Sequence, residues 1–416
     1  MLLFIIGPLI PVVIASLADK PLYEDDISFW LQNYKDLFND AAFWMATWNT
    51  VQYAVFATVP AVLIGTVLAV LVHRTSMPLR RGVLAVMIVP LLFPGLGMTL
   101  GWVSMYSPNG LASTVMTSLF GFVPWNVYSI PGMAFLSLEK TVPLVYLLTW
   151  GRLATLDSAI ESAALTAGAR PLRVLRDVTL PMLRPSALLS AVVISMLVFE
   201  SLGIPVILGT PAGIDTISTY LYYNWTTSTD QQGVVSAGAS MLLVFVSILL
   251  LLRGRAEGAT QRFVTPLGKA KAQNTLNLGR WGWPIAALCM VYLLITILLP
   301  TAGLLVRSVS SVFTPLVPPW EVLTLANFRM VFDQPVTTRS VTNSVIISVV
   351  GSILGTICIL VATLVAHRSR FPVRGTMPSL LVYPRAVPGL VIGMGFFGPL
   401  CQSLDLSLCG PQSGEL

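Results

Sequence analysis

Glu161 stands at the head of a run of small residues, Ser162-Ala163-Ala164-Leu165-Thr166-Ala167, that leads into Gly168-Ala169 and then into Arg170, Arg173 and Arg176. These types suit docking better than catalysis. Small side chains let another surface approach closely, and the arginines give that surface a basic rim. Residues 158–167 are mostly small or helix-forming, with Asp157 placed as an N-cap and Glu161 in the early turns. Gly168 can end that helix in the left-handed conformation, and Pro171 suits the first turn of the next. In the second helix Leu172, Leu175 and Val178 recur on one face and the arginines lie elsewhere. Pro181, closing Val178-Thr179-Leu180-Pro181, is expected to stop it, and Pro185 to mark the start of the next apolar stretch. The expected product is a helix–turn–helix lying on a membrane surface over 157–185. The competing reading is an amphipathic loop whose arginines grip anionic headgroups.

The rest of the chain offers little to a catalyst. It has two histidines, His73 and His367, each beside an arginine with no carboxylates clustered near it. Both read as helix-end caps rather than metal ligands. Gly268-Lys269 is followed by Ala270 and lacks the earlier glycine of a phosphate-binding G-x-x-x-x-G-K-[ST] loop. No cofactor is expected on this chain and no enzyme activity of its own. Four charges fall inside apolar stretches: Glu139, Lys140, Glu200 and Arg385. Such charges are costly in lipid and mark either a translocation path or a structural ion pair, for instance Lys140 with Glu200.

The elements that must carry these residues are membrane helices. Hydrophobic residues make up 55% of the chain and charged residues 10%, against about 25% charged in a soluble domain, so a single soluble core could not hide the apolar surface. Nine apolar blocks, 1–18, 46–72, 82–106, 129–151, 186–208, 233–252, 282–306, 343–366 and 376–400, each approach the roughly 20 residues of a transmembrane helix. Their continuity favours an all-α polytopic bundle over a barrel. The net charge of +6 does not point to nucleic acid, because most of the 24 Lys and Arg sit in four segments, 74–81, 152–184, 253–280 and 368–374. The 19–40 and 209–232 loops are acidic instead. The positive-inside rule then makes the four basic segments and the N-terminus cytoplasmic. Trp30, Trp44, Trp48, Tyr222, Tyr223 and Trp225 read as interfacial anchors. Cys289 and Cys358 read as small apolar residues, and nothing in their spacing argues for pairing Cys401 with Cys409.

The chain also repeats itself at an offset of 294 residues. Asn33 meets Asn327, His73-Arg74 meets His367-Arg368, and Pro94-Gly95-Leu96 meets Pro388-Gly389-Leu390. Prolines, glycines and a His-Arg pair at one constant shift mark a parallel duplication. The expected organisation is a first core over 1–253, a linker over 254–281, and a second core over 282–416. The offset would put a second copy of the Glu161 loop near position 455, so the chain reads as incomplete, with a natural shorter variant as the alternative. Gly97 with Gly101, Gly351 with Gly355, and Gly389 with Gly393 have the small-xxx-small spacing of closely packed helices.

The order Ala163-Ala164, Gly168, Val178-Thr179-Leu180-Pro181 resembles the EAA loop of binding-protein-dependent ABC importer permeases. Ser162 stands where that family usually has glutamate, so the acidic contact is either weaker or supplied by Glu161. Phe199-Glu200-Ser201-Leu202-Gly203-Ile204-Pro205, Leu208-Gly209-Thr210-Pro211 and the two cores look like permeases of the ferric-iron type. The resemblance implies an inner-membrane, multi-pass transport subunit with a periplasmic solute-binding protein outside. It also implies two cytoplasmic ABC ATPase subunits that hold ATP-Mg and grip the 157–185 loop. Other cargoes of the same class are thiamine, phosphonate or a polyamine. An ion-gradient-driven secondary transporter is the alternative of another class, and a non-functional fragment a third. On the family reading Gly168→Asp is expected to leave the spans inserted while uncoupling ATP hydrolysis from uptake, measured side by side in proteoliposomes.

Overall fold

The computed structural model describes residues 7, 9–20, 26–155, 158–227, 231–261, 277–312, 317, 321–368, 389 and 393. Among them the backbone forms helices, turns and two isolated bridges, with no strand. In chain order the first α-helices are α1 (Leu9–Leu17), α2 (Gln32–Asn39), α3 (Ala41–Arg74), α4 (Arg80–Leu92), α5 (Gly95–Tyr106) and α6 (Leu111–Phe120). Then come α7 (Ile130–Thr155), α8 (Ser158–Thr166), α9 (Pro171–Val174), α10 (Leu180–Glu200), α11 (Ile217–Thr227) and α12 (Gln232–Gln261). The last are α13 (Gly282–Leu293), α14 (Leu299–Ser308), α15 (Ala326–Asp333) and α16 (Pro335–Arg368).

This is an all-α polytopic membrane bundle. Five described stretches are long and apolar enough to cross a bilayer: Ala41–Arg74, Leu175–Glu200, Gln232–Leu252, Gly279–Ser308 and Pro335–Val365. The expected span at 82–106 is not straight. It breaks between α4 and α5, which with α6 make a pair bent by 112°. Phe93 and Pro94 are extended at the break, as the steric restriction on a residue before proline dictates. The 129–151 block lies in α7, whose 26 residues measure about 39 Å at 1.5 Å per residue. The 186–208 block is displaced: its helix starts earlier, at Leu175, and ends at Glu200. Of the 1–18 block the structure describes the nine-residue α1, and the 376–400 block lies outside the described residues except for Gly389 and Gly393.

The chain divides into two compact units, one of residues 1–47, 217–250 and 330–416 and the other of 48–216 and 251–329. In the first, the Tyr34 hydroxyl lies 2.9 Å from Ser16 Oγ and 2.7 Å from Ser240 Oγ, and Tyr220 donates to Asp40 Oδ2 at 2.6 Å. Gly238 leaves room for Leu221. In the second, backbones approach so closely that only glycine fits. A Cβ on Gly65 would lie 2.6 Å from Val145 Cβ, and one on Gly101 would lie 2.3 Å from the Pro300 carbonyl oxygen. A Cβ on Gly303 would meet Met105 and the Gly101 carbonyl from the other side. The Gly97/Gly101 spacing is therefore a helix contact between α5 and α14, while Gly351 and Gly355 have nothing within 4 Å.

The repeat is visible in the backbone. α2 and α15 are both eight residues long, α3 and α16 both 34, and their ends differ by the same 294 positions. Ahead of each eight-residue helix the chain folds back on itself. Asp19 N–H donates to Ser28 O at 3.1 Å and Trp30 N–H to Leu17 O at 2.8 Å. In the second copy Ser311 N–H donates to Val322 O at 2.9 Å and Thr324 N–H to Val309 O at 2.7 Å. The offset drops to 292 on the upstream side, so the second loop is two residues longer. The matched asparagines do the same work in each copy. Asn33 Nδ2 donates to the carbonyls of Ser16 and Ala18, and Asn327 Nδ2 to those of Ser308 and Ser310.

Gly101→Ala should cost about 1–3 kcal/mol by overpacking, whereas Gly351→Ala should leave stability unchanged or slightly raised. Thermal unfolding of the two variants in the same detergent measures the contrast.

Candidate functional site

The 157–185 segment follows the end of α7 and runs into the span that starts at Leu175. Its first helix, α8, ends at Thr166 and is closed by the hydrogen bonds Ala169 N–H to Ala164 O and Gly168 N–H to Leu165 O, each 3.0 Å. This is a Schellman closure, and it requires a left-handed residue at the position of Gly168, whose φ is +85°. A Cβ there would meet nothing within 4 Å. Glycine is thus needed for its backbone angle and not for space. Asp157, expected as the N-cap, lies outside the described residues.

The second helix does not stop at Pro181. α9 runs into a π-turn, Leu175–Thr179, which runs into α10. Pro181 cannot donate to the carbonyl four residues back, and its ring would collide with that group in an α-helix. Widening the preceding turn relieves the clash, so the helix continues to Glu200 instead of breaking. Val174, Thr179 and Leu183 are the buried residues of this stretch, while Leu175, Val178, Pro181 and Pro185 are half-buried and Leu180 is exposed. Nothing is described of the Leu172 side chain.

Glu161 faces inward. It is 7% exposed, and its Oε2 lies 3.3 Å from Arg74 Nη1, on an arginine that is itself 2% exposed. Thr179 Oγ1 donates to Glu161 Oε1 at 2.8 Å, and Arg74 Nη2 donates to Leu153 O at 3.2 Å. One buried cluster therefore joins the last residue of α3, the end of α7, the helix α8 and the root of α10. The opposite face of the segment is open. Ala163, Thr166, Ala167, Gly168 and Arg170 are exposed, and Ser162, Ala164 and Ala169 are half-buried. Arg173 and Arg176 flank Asp177 at 3.7 and 4.0 Å with more than half of every side chain in solvent. Exposed pairs of this kind contribute little to stability, so the basic rim stays available to a partner.

The intramembrane charges part company. Glu139 is buried and accepts a 2.6 Å hydrogen bond from Trp102 Nε1. Lys140 carries its ammonium over Gly95, where a Cβ would lie 3.1 Å from Nζ. Glu200 is half-buried at the last residue of α10. Arg385 lies outside the described residues. His73, expected as a helix-end cap, instead turns to α7. Its Nε2 meets the Tyr146 hydroxyl, and its ring stacks on Trp150 with centroids 5.5 Å apart. The side chain of His367 is not described.

Residues 55–261 match the family model of the binding-protein-dependent transport system inner membrane component. That stretch contains the whole Glu161 segment. The sulfoquinovosyl glycerol transport system permease protein of Agrobacterium fabrum is 28% identical over 204 residues, 46% of this chain and 65% of that protein. The ferric transport system permease protein of Actinobacillus pleuropneumoniae is 23% identical over 331 residues, 78% of this chain and 46% of that protein. The chain thus spans less than two thirds of the length of either relative. A chain from the crystal structure of a bacterial alginate ABC transporter in complex with alginate pentasaccharide-bound periplasmic protein superposes with a TM-score of 0.52 at 18% identity. The match covers 62% of this chain and 91% of that one, and it bears on the fold.

Glu161→Gln leaves the Arg74 guanidinium buried opposite a neutral amide, and should cost about 3–5 kcal/mol. Arg173→Gln, on the exposed rim, should stay within about 0.5 kcal/mol of the parent. Melting temperatures of the purified variants test both.

Proposed function

We propose that this chain is the membrane subunit of an ATP-driven importer, seated in the bacterial inner membrane with its N-terminus cytoplasmic. It takes its solute from a periplasmic binding protein and draws its power from two cytoplasmic ATPase subunits that hold ATP-Mg. The observation that carries this reading is the two-faced 157–185 segment. Its outer face is small, exposed and basic, and its inner face is locked to three span ends through Glu161. A segment built this way passes a push on its outer face to the spans as a rigid displacement, because the buried ion pair cannot part without leaving both charges unsolvated. The family match over 55–261 supports the same reading.

For the cargo we favour ferric iron. The ferric relative aligns over 331 residues, across both copies of the repeat, where the sulfoquinovosyl glycerol relative aligns over 204. In importers of this class selectivity rests largely on the binding protein, so thiamine, phosphonate or polyamine would use the same lever.

Affinity capture from mild-detergent membranes tests the coupling role. Gly168→Asp is a clean probe, since the position is exposed and open and aspartate tolerates the left-handed conformation better than most residues. The wild type is expected to bring down an ATP-hydrolysing subunit that the variant loses. A well-folded wild type that captures none would sink the proposal. Uptake of radioactive iron into proteoliposomes containing the full set of subunits then tests the cargo.

A further inference from the structure

A large cavity of the second unit is remote from the Glu161 cluster. Its volume is about 880 Å³, and Trp102, Tyr106, Val115, Trp125, Phe135 and Leu299 are among its walls. No Lys, Arg, Asp or Glu lines it. The aromatic donors in its walls are all turned to protein acceptors: Trp102 Nε1 to Glu139, Tyr106 OH to the Ile295 carbonyl at 2.7 Å, and Trp125 Nε1 to the Tyr106 carbonyl at 3.1 Å. The only polar side chains besides these in its walls are Asn126 and Ser129. Asn126 Oδ1 accepts from Tyr128 N–H and Ser129 Oγ donates to the Asn126 carbonyl. A charged or many-hydroxyl solute entering here would therefore give up most of its hydration for little return. The cavity also opens onto an apolar surface. Val115 and Phe135 line it and are themselves exposed, as are Leu119, Phe120 and Phe122 at the end of α6 and just beyond it. These apolar side chains belong to a chain whose spans face lipid.

Depth follows from α7. Phe135 lines the cavity and Thr155 ends the helix next to the Glu161 segment, so the two are about 30 Å apart along the axis, roughly the thickness of the hydrocarbon core. The cavity is therefore at the far side of the bilayer from the coupling segment.

We propose that this cavity is a lipid site, holding the acyl chains of a phospholipid from the leaflet opposite the Glu161 segment. That leaflet is the outer one on the orientation proposed above. The headgroup is not selected, because no charged side chain reaches the site, and recognition rests on packing of the chains against the aromatic walls. A flexible hydrocarbon fills such an irregular space as it comes, and by doing so it props the α5–α6 bend away from α7.

The test uses the full chain in nanodiscs of phosphatidylcholine carrying a diazirine at mid-acyl chain, with cross-links mapped by mass spectrometry. Labelling is expected to concentrate on residues 102–135, severalfold above the lipid-facing surface of α16. Ala112→Trp and Met116→Trp, which fill the cavity from successive turns of α6, are expected to remove that excess while labelling of α16 persists. Two variants guard against one that fails to fold, and an unchanged melting temperature qualifies each. Uniform labelling, or labelling that the filling variants leave untouched, overturns the proposal. So does labelling that disappears when the solute-loaded binding protein is added, which would make the cavity part of the cargo path. Protection of the cavity by a second copy of the chain, seen as a protein–protein cross-link in place of the lipid one, overturns it as well. None of these outcomes depends on whether an ATPase is captured.

Discussion

The pair Arg74–Glu161 ties the 157–185 segment to the span ends of the second unit. Two charges removed from water to this degree each cost several kcal/mol to desolvate, and they are tolerable only while they hold one another. Each also spends a further hydrogen bond on a different element, Arg74 on the Leu153 carbonyl and Glu161 on the Thr179 hydroxyl. The geometry is therefore closed. α8 cannot rotate or slide without breaking contacts with α3, α7 and the root of α10 together. A surface helix of nine residues is too short to be stable alone, and this cluster is what makes it a fixed part of the bundle.

The packing around the cluster follows a different rule. Between α5 and α14, and between α3 and α7, glycines let backbones meet at distances that a methyl group would forbid. In lipid there is no hydrophobic force to press helices together, so close van der Waals contact carries much of the association. The bend at Phe93–Pro94 spoils such contact locally, because α5 and α6 leave the line of α4. Dense packing at Gly101 and an open space near Val115 are consequences of one broken helix.

Much of this was legible in the residues. The duplication could be read to the residue, because prolines, glycines and an Asn recur at one shift, and the helices of the two copies begin and end at that same shift. The sequence did not reveal that the loop before the second eight-residue helix is longer by two, since the matched residues lie downstream of it. Gly168 was correctly read as a left-handed helix end, because that requirement is local. The inward turn of Glu161 was not legible. The face a carboxylate takes is set by the rotation of α8 against α3, a tertiary fact, and a charged residue on a surface segment is by default solvated. Pro94 lies inside the apolar block 82–106 that reads as one span, although the restriction it places on Phe93 is a signal of the break. Pro181 misled in the other direction, because proline near the start of a helix can be carried by a widened turn.

That widened turn ties the helix geometry to the ion pair. A π-turn holds one residue more than an α-turn. Were Leu175–Thr179 to tighten to α geometry, the chain beyond would rotate by about 100° and shift by about 1.5 Å relative to the chain before it. Thr179 would swing off the face it now shares with Glu161. The surplus residue thus sets the phase between the surface helices and the span, much as a key aligns a shaft with its hub, and the inward carboxylate finds its hydroxyl only in that phase.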